Sequence, residues 1–200
     1  MKIFFKTVSY LFHPLFVPLA GTMAYFLVTP KYSPIAVQLG NILPIFILTV
    51  IIPVIAFFIL KNIGVVSTVF MPTLKERKYP LYVHIMLLLM IVYKVIPDHA
   101  IELHFFFIGL IIGAMTTLIL LFLKFKTSMH MLGMGGLFMF LVGLSIHFEL
   151  NITIAISLLT AATGLVATSR LYLKAHLKVE LLIGFLVGLI SQLVLVKFWL

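Results

Sequence analysis

The run AIELHFFFIGLIIGAMTTLILLFL, residues 100–123, is almost continuously apolar and decides the class of fold. It carries a single carboxylate, Glu102, and its length suits one membrane crossing, which takes about 20 apolar residues as a helix. Comparable runs occupy 8–28, 36–60, 80–96, 129–148, 151–168 and 178–199. The sequence therefore predicts an all-α, polytopic transmembrane helical bundle with six to seven membrane-spanning helices.

The composition of the whole chain points to the same class. Of its 200 residues, 64% are hydrophobic and 10% are charged, and the interior of a soluble domain of this size is too small to hide so much apolar surface. We expect a single integral membrane domain over 1–200, with no room for a separate soluble domain. The chain has no cysteine, which excludes disulfides, thiolate metal sites and a cysteine nucleophile.

Two of the predicted helices have irregular features. His13, Pro14 and Pro18 interrupt the first run, so a kinked or half-inserted segment is an alternative to a crossing, and we expect a retained first helix instead of a removed signal peptide. The third run, 80–96, is short and contains His84 and Lys94. A tilted or sheltered helix would accommodate them.

Basic residues concentrate on one side of the predicted membrane topology. The formal net charge of +9 would suggest nucleic acid in a soluble chain, but here the cations lie between apolar runs, so we expect the bilayer as partner and no nucleic acid. The positive-inside rule then predicts the inner (cytoplasmic) membrane with this basic side facing the cytoplasm. The residues on this side are Lys2, Lys6, Lys61, Lys75, Arg77, Lys78, Lys124, Lys126, Arg170, Lys174 and Lys178.

Ionisable groups at membrane depth are costly, so their positions are the main functional signal in such a sequence. Three connections on the basic side hold nearly all of them: 74–80, 124–130 and 169–180. The chain's two arginines, Arg77 and Arg170, both lie there. The connection at 74–80 is by default an anchor for lipid headgroups.

A helix continued through 169–180 would place Ser169, Tyr172, His176 and Glu180 on one stripe. A carboxylate one turn from His176 accepts the proton of one ring nitrogen and leaves the other nitrogen available as a nucleophile or base. The alternative is an ordinary surface ion pair at i, i+4. In the second connection, Thr127 or Ser128 is an expected N-cap with His130 in the first helical turn, a place that favours an anion, and plain capping is the alternative.

Helix parity puts the three connections on the same membrane face. Two histidines, two arginines, lysines and a carboxylate would then converge on one point. This set suits phosphoryl transfer, in which cations hold the phosphate oxygens, one histidine attacks phosphorus and another protonates the leaving oxygen.

These residues resemble the type 2 phosphatidic acid phosphatase superfamily of membrane-embedded lipid phosphatases. Its third motif, Ser-Arg, five residues, His, three residues, Asp, is similar to Ser169, Arg170, His176 and Glu180, with Glu replacing Asp. The resemblance spans about 70–185 within a phosphatase-like core of about 36–200. The second motif, Pro-Ser-Gly-His, is matched at Ser128 and His130, with Thr127 for Pro and Met129 for Gly. The first, a Lys with a distant Arg-Pro, is matched least, since Arg77 precedes Pro80 by three residues.

The resemblance implies a role for each matched position. His176 would be the nucleophile that forms a phosphohistidine, Glu180 would orient it, and His130 would be the acid for the leaving group. The substrate would be a lipid phosphate or diphosphate of the polyprenyl diphosphate or phosphatidate type, and the reaction would need no metal or other cofactor. The residues expected to hold phosphate are Arg170, Ser128, Arg77, Lys75 and Ser169.

Two other functions stay open. Met129 in place of Gly and the longer Glu180 leave a catalytically inactive lipid-phosphate-binding protein as one alternative. Pro44, Pro53 and Asn41 in the second run fit the broken helices of an anionic-solute transporter.

The remaining histidines and a pair of glycines predict structural roles and no catalytic role. The remaining histidines, which are His13, His84, His99, His104 and His147, have no partner at a recognisable spacing, and we expect them to be interfacial or packed. Gly184 and Gly188 form a small-xxx-small pair that favours intramolecular helix packing over dimerisation.

Overall fold

The computed structural model describes residues 1–68, 71 and 73–200, and this part of the chain is helical without strands. The α-helices are α1 Lys2–Leu11, α2 Val17–Val28, α3 Ile35–Phe46, α4 Ile52–Asn62, α5 Leu74–Lys94, α6 Ile101–Phe122, α7 Met129–His147, α8 Thr153–Tyr172 and α9 Lys178–Val196. A 3-10 turn at Pro14–Phe16 joins α1 to α2, and a π-helical stretch at Ile47–Ile51 joins α3 to α4.

Two pairs of helices, α1–α2 and α3–α4, are each joined end to end, so the elements form seven rods, as the apolar runs predict. The all-α bundle is confirmed. Six segments are long and apolar enough to cross a bilayer: Lys2–Val28, Ile35–Asn62, Ile101–Phe122, Met129–His147, Thr153–Tyr172 and Lys178–Val196. The remaining rod, α5, is 21 residues long and packs along α6. The chain is therefore a polytopic membrane protein.

Helix α7 lies at the centre of the bundle, where it packs against α9, α8, α2 and α6. Its neighbours leave little space, because Phe106 of α6 stacks on Phe140 of α7 with ring centroids 4.3 Å apart. Trp199, just after α9, packs edge-on against Phe140. Helix α8 is peripheral, and only Val166 and Ser169 of its residues are buried.

Glycines allow α7 and α9 to approach at the level of the backbone. A Cβ at Gly184 would lie 2.6 Å from the carbonyl oxygen of Ser128, and one at Gly188 would collide with the carbonyl oxygen of Leu132. The prediction that this pair serves intramolecular packing is confirmed.

The first rod is broken where the prolines predict a break. The helix α1 ends at Leu11, and His13 caps the 3-10 turn that begins with Pro14. Helix α1 packs on α8, whereas α2 packs on α7, α6 and α3. The single rod is thus two helices with different neighbours.

Two connections differ from the sequence prediction. Helix α5 begins at Leu74, with Thr73 as its N-cap, so 74–80 is the start of a helix and not a loop. The helical stripe predicted across the connection 169–180 is wrong, because α8 ends at Tyr172 and α9 begins at Lys178. Between them Lys174 turns the chain with a φ of 52°.

The end of the bundle opposite this turn holds a buried carboxylate. Glu102 Oε1 lies 2.6 Å from Lys31 Nζ and 3.2 Å from His147 Nε2, and Tyr25 donates a hydrogen bond to Oε2 over 3.3 Å. The Glu102 side chain is fully buried. This cluster ties the α2–α3 connection to α6 and to the end of α7.

Candidate functional site

A cavity of about 740 Å³ opens at the end of the bundle where α5, α7 and α9 begin and α6 and α8 end. The helices α1 and α5 both contribute to its wall, together with the end of α6 and the two connections 126–130 and 173–176. The volume falls in the range of small-molecule sites. The three connections predicted to share a membrane face therefore do contribute to one cavity.

The wall of this cavity is strongly basic. Among the described residues that line it there are six Lys or Arg side chains, four histidines and no carboxylate. In a membrane-buried setting such a wall favours an anionic ligand. The basic residues are Lys2, Lys6, Arg77, Lys126, Arg170 and Lys174, and the histidines are His13, His84, His130 and His176.

His176 is held by a carboxylate that does not itself line the cavity. The Nδ1 atom of His176 lies 2.7 Å from Oε2 of Glu180. Glu180 is in the first turn of α9 and reaches back, so that the same oxygen accepts the backbone N–H of Leu177 at 3.2 Å. A carboxylate accepts and does not donate, so the His176 proton is on Nδ1 and Nε2 keeps its lone pair.

The chain around His176 is fixed by Lys126. Its Nζ donates a hydrogen bond to the carbonyl oxygen of Ala175 over 2.7 Å and lies 3.7 Å from Glu180 Oε2. Burial, followed by Arg77, lowers the pKa of Lys126. Burial, followed by the cations Lys126, Arg170 and Arg77, lowers the pKa of His176 to about 3. The imidazole of His176 is accordingly neutral at physiological pH.

His130 comes from the start of α7. Ser128 is the N-cap of this helix, as predicted, and its Oγ accepts the backbone N–H of Met131 at 3.4 Å. The His130 ring is buried, and its Nε2 lies 3.0 Å from the carbonyl oxygen of Ser9 in α1. Because that oxygen only accepts, Nε2 carries the proton and Nδ1 has the lone pair in the neutral ring.

Arg170 also contacts α1. Its Nη1 donates a hydrogen bond to Ser9 Oγ over 3.1 Å. Ser169 lies next to it but is fully buried, where its Oγ donates to the carbonyl oxygen of Phe5 at 2.7 Å and lies 2.9 Å from Ser9 Oγ. Both residues at the end of α8 therefore contact Ser9 Oγ.

The predicted phosphate ligands divide into two groups. Arg170 and Arg77 line the cavity. Ser128, Ser169 and Lys75 do not belong to its wall: the two serines are buried between helices, and Lys75 is exposed at the start of α5. A phosphate-binding role for these three residues stays a prediction.

Several residues of the cavity wall were not among the predicted site residues. His13 and His84 line it, where the sequence favoured interfacial or packed positions, and so does Ser9. Isolated residues far apart in sequence give no spacing signal, so only the neighbouring proline at 14 marked this part of the chain as irregular.

Polar atoms of several residues that line the cavity are buried. Thr117 Oγ1, Thr127 Oγ1 and Arg170 Nε have no hydrogen-bond partner within the described residues. Thr127 is 3% exposed, so burial leaves its hydroxyl no solvent partner.

Residues 1–68, 71 and 73–200 contain no group of three or more His, Asp or Glu side chains placed to hold a metal ion. Searches against family models, curated proteins and solved structures found no match to this chain.

Proposed function

We propose that this chain is an integral membrane phosphatase that hydrolyses a lipid phosphate or diphosphate through a phosphohistidine intermediate. The observation that carries the proposal is the pair His176–Glu180, with Nδ1 2.7 Å from Oε2, at the wall of a cavity lined by six basic side chains. The pair supplies an oriented nucleophile, and the basic wall supplies the charge that phosphoryl transfer needs.

In the first step, the lone pair of His176 Nε2 attacks phosphorus and the bond from phosphorus to the leaving oxygen breaks. The ring gains positive charge as the new N–P bond forms, and Glu180, which accepts the Nδ1 proton, stabilises that charge. Arg170 and Arg77 hold the phosphoryl oxygens, because the guanidinium fork matches them better than a point charge does.

His130 is the proposed acid for the leaving oxygen. Its Nε2 proton is engaged by the Ser9 carbonyl oxygen and Nδ1 has the lone pair, so Nδ1 takes the proton of the monoprotonated substrate phosphate and passes it to the leaving oxygen. In the second step, water attacks the phosphohistidine, the N–P bond breaks, and phosphate leaves as His176 regains its lone pair. His130 Nδ1 accepts the water proton and passes it to the departing phosphate, which returns both histidines to their starting forms.

The apolar part of the substrate is proposed to lie between helices. The cavity wall includes Pro80 and Leu81 of α5 and Tyr10 of α1, which face it from two different rods. A lipid chain leaving between these rods would keep its headgroup at the basic residues. The resemblance of His176, Glu180 and Arg170 to the type 2 phosphatidic acid phosphatase superfamily supports the same substrate class.

The proposed location is the inner membrane of the cell, with the cavity on the cytoplasmic face. The six basic side chains of the wall belong to this end of the bundle, whereas Glu102 lies at the other. The positive-inside rule favours this orientation.

The test uses the purified protein in detergent. Phosphate release is measured from a polyprenyl diphosphate and from phosphatidate for the wild type, His176→Ala and the matched control His104→Ala, which alters a histidine outside the cavity wall. We expect release by the wild type and the control only. An acid-labile, base-stable phosphoprotein in rapid-quench samples would identify the phosphohistidine. Equal phosphate release by the wild type and by His176→Ala would refute the proposal that this chain is a phosphatase.

A second candidate function is lipid-phosphate binding without turnover. Met129 favours it, because its side chain lines the cavity where the related motif has glycine, and so takes space next to His130. A wild type that binds lipid phosphate without releasing phosphate, and a Met129→Gly variant that releases it, would establish this candidate. Flux of an anionic solute into vesicles that survives His176→Ala would instead indicate a transporter.

A further inference from the structure

Helix α1 lies outside the part of the chain that resembles the phosphatase family, yet it forms one wall of the cavity. Lys2, Lys6, Ser9 and His13 all line it, and their offsets of 4, 7 and 11 residues fit one helical face continued into the turn after Leu11. Phe5, on another face, packs on Tyr172 of α8 with ring centroids 4.5 Å apart. The position of this wall is therefore fixed by packing.

Ser9 connects two site residues that come from different helices. Its carbonyl oxygen accepts from His130 Nε2 at 3.0 Å, and its Oγ accepts from Arg170 Nη1 at 3.1 Å. Ser9 is buried, so these contacts are shielded from water. The geometry makes Ser9 a positioning residue for both side chains.

His13 faces the same cavity with a defined tautomer. Its Nδ1 accepts the backbone N–H of Leu15 at 3.3 Å as the cap of the 3-10 turn. A backbone N–H only donates, so Nδ1 holds the lone pair and the ring proton is on Nε2. The ring packs edge-on against His130, with centroids 5.4 Å apart.

Three imidazoles of the wall thus have different assigned roles. In their neutral forms, His176 presents a lone pair at Nε2 and His130 presents one at Nδ1. Of these three rings, only His13 leaves an N–H without an acceptor among the described residues. A neutral N–H donor binds a phosphoryl oxygen without adding a further charge to a wall that already holds six cations.

We propose that His13 is an oxyanion-binding residue of this site, which donates its Nε2 proton in a hydrogen bond to an oxygen of the bound phosphoryl group, with Ser9 positioning His130 and Arg170 beside it. The inference rests on the proposed function, because it takes from it that a phosphoryl group binds in the cavity. It assigns the ligand chemistry to tetrahedral oxyanions, with or without a lipid attached.

The test measures binding of orthovanadate, a tetrahedral phosphate analogue, to the purified full-length protein. His13→Asn keeps an acceptor for the Leu15 N–H but is too short to reach the ligand, whereas His13→Gln restores reach with an N–H donor. We expect vanadate binding about 10-fold weaker for His13→Asn and within about 3-fold of wild type for His13→Gln, since a hydrogen bond to a charged group is lost in the first and kept in the second. The control His104→Asn should bind like the wild type.

Vanadate affinity equal to wild type in His13→Asn would overturn the proposal, and so would a wild type that binds no vanadate. Thermal unfolding of each variant checks the fold, and His13→Ser, which keeps a capping hydroxyl, replaces His13→Asn if that variant does not fold. The two proposals fail differently. If vanadate binding depends on His13 but no phosphate is released, the phosphatase proposal is wrong and the oxyanion site stands. If phosphate is released but vanadate binding does not depend on His13, the oxyanion role of His13 is wrong and the phosphatase proposal stands.

Discussion

The Nδ1 atom of His176 lies 2.7 Å from Oε2 of Glu180, and the two residues belong to different kinds of structure. His176 is in the connection after α8, and Glu180 is in the first turn of α9. The carboxylate therefore serves the histidine and the start of the helix at once, since it also accepts the N–H of Leu177. This double use links the orientation of the proposed nucleophile to the capping of α9.

Glu180→Gln should lower the phosphate release rate on the order of 100-fold. The amide can turn its NH₂ toward Nδ1 and place the histidine proton on Nε2, which removes the nucleophilic lone pair, as in other carboxylate–histidine pairs. The rate is measured on the purified variant at saturating substrate. An unchanged rate would mean that no orienting carboxylate is used. Glu149→Gln, which alters an exposed carboxylate at the other end of the bundle, is the control.

Acidification should destabilise the protein through His176. Its pKa is lowered to about 3 in the folded protein, whereas the unfolded chain binds the proton near 6.5. Between these values unfolding takes up a proton, so the contribution is absent above pH 6.5 and stability falls as the pH drops toward 3. Unfolding temperatures in detergent at several pH values should fall less steeply for His176→Asn than for the wild type. Equal slopes would contradict the assignment.

Gly188→Ala should destabilise the bundle by about 1–3 kcal/mol and reduce activity, because the new methyl group collides with the carbonyl oxygen of Leu132 and pushes α7 from α9. Unfolding in detergent and phosphate release measure the two effects. The control is Gly164→Ala in α8, where a Cβ meets nothing within 4 Å. It should be neutral or slightly stabilising, since alanine favours helix. Similar losses in both variants would argue against a backbone collision.

Glu102→Gln should cost about 1–3 kcal/mol of stability without loss of activity. The substitution leaves Lys31 and His147 facing a neutral partner, although Lys31, with 44% of its side chain exposed, stays in part hydrated. The cluster lies at the far end from the cavity, so vanadate binding should be unchanged. A fall in vanadate affinity would show that the two ends of the bundle are coupled.

The proposed orientation predicts a labelling pattern. The chain has no cysteine, so Lys178→Cys at the cavity end and Lys197→Cys at the other end each introduce a single thiol. An impermeant maleimide should label Lys197→Cys in intact cells and Lys178→Cys only after the membrane is opened. The reverse pattern would place the cavity outside the cytoplasm.

Much of the fold could be predicted because bilayer thickness sets the length of an apolar run. The runs at 100–123 and 129–148 correspond closely to α6 and α7. Residue type and position predicted Thr127 or Ser128 as the cap of α7, and Ser128 is the cap in the structure. The runs 151–168 and 178–199 also predicted α8 and α9 as separate helices. The helical stripe across 169–180 was wrong, because Lys174 adopts a positive φ that no proline or glycine in 173–177 signals. Periodicity alone therefore extended helical geometry into a connection.

The candidate site was predicted only in part, because sequence spacing indicates contacts within a short segment and not contacts between distant segments. The spacing of four residues between His176 and Glu180 is consistent with a contact both within one helix and across a helix start, so this contact survived the error in secondary structure. His13 and Ser9 could not be predicted, since their roles depend on how α1 packs on α8 and against His130. Such tertiary contacts leave no pattern within a short segment.

The glycine contacts between α7 and α9 also set the dimensions of the reactive centre. At Gly184 and Gly188 only hydrogen atoms separate the two main chains, so peptide geometry, and not the choice of rotamers, fixes the gap between them. His130 is the second residue of α7, and His176 lies two residues before α9 begins, so both rings inherit this gap. Substitutions on the outer surface can consequently adapt the bundle to membranes of different thickness, while the distance between the imidazoles of His130 and His176 stays constant.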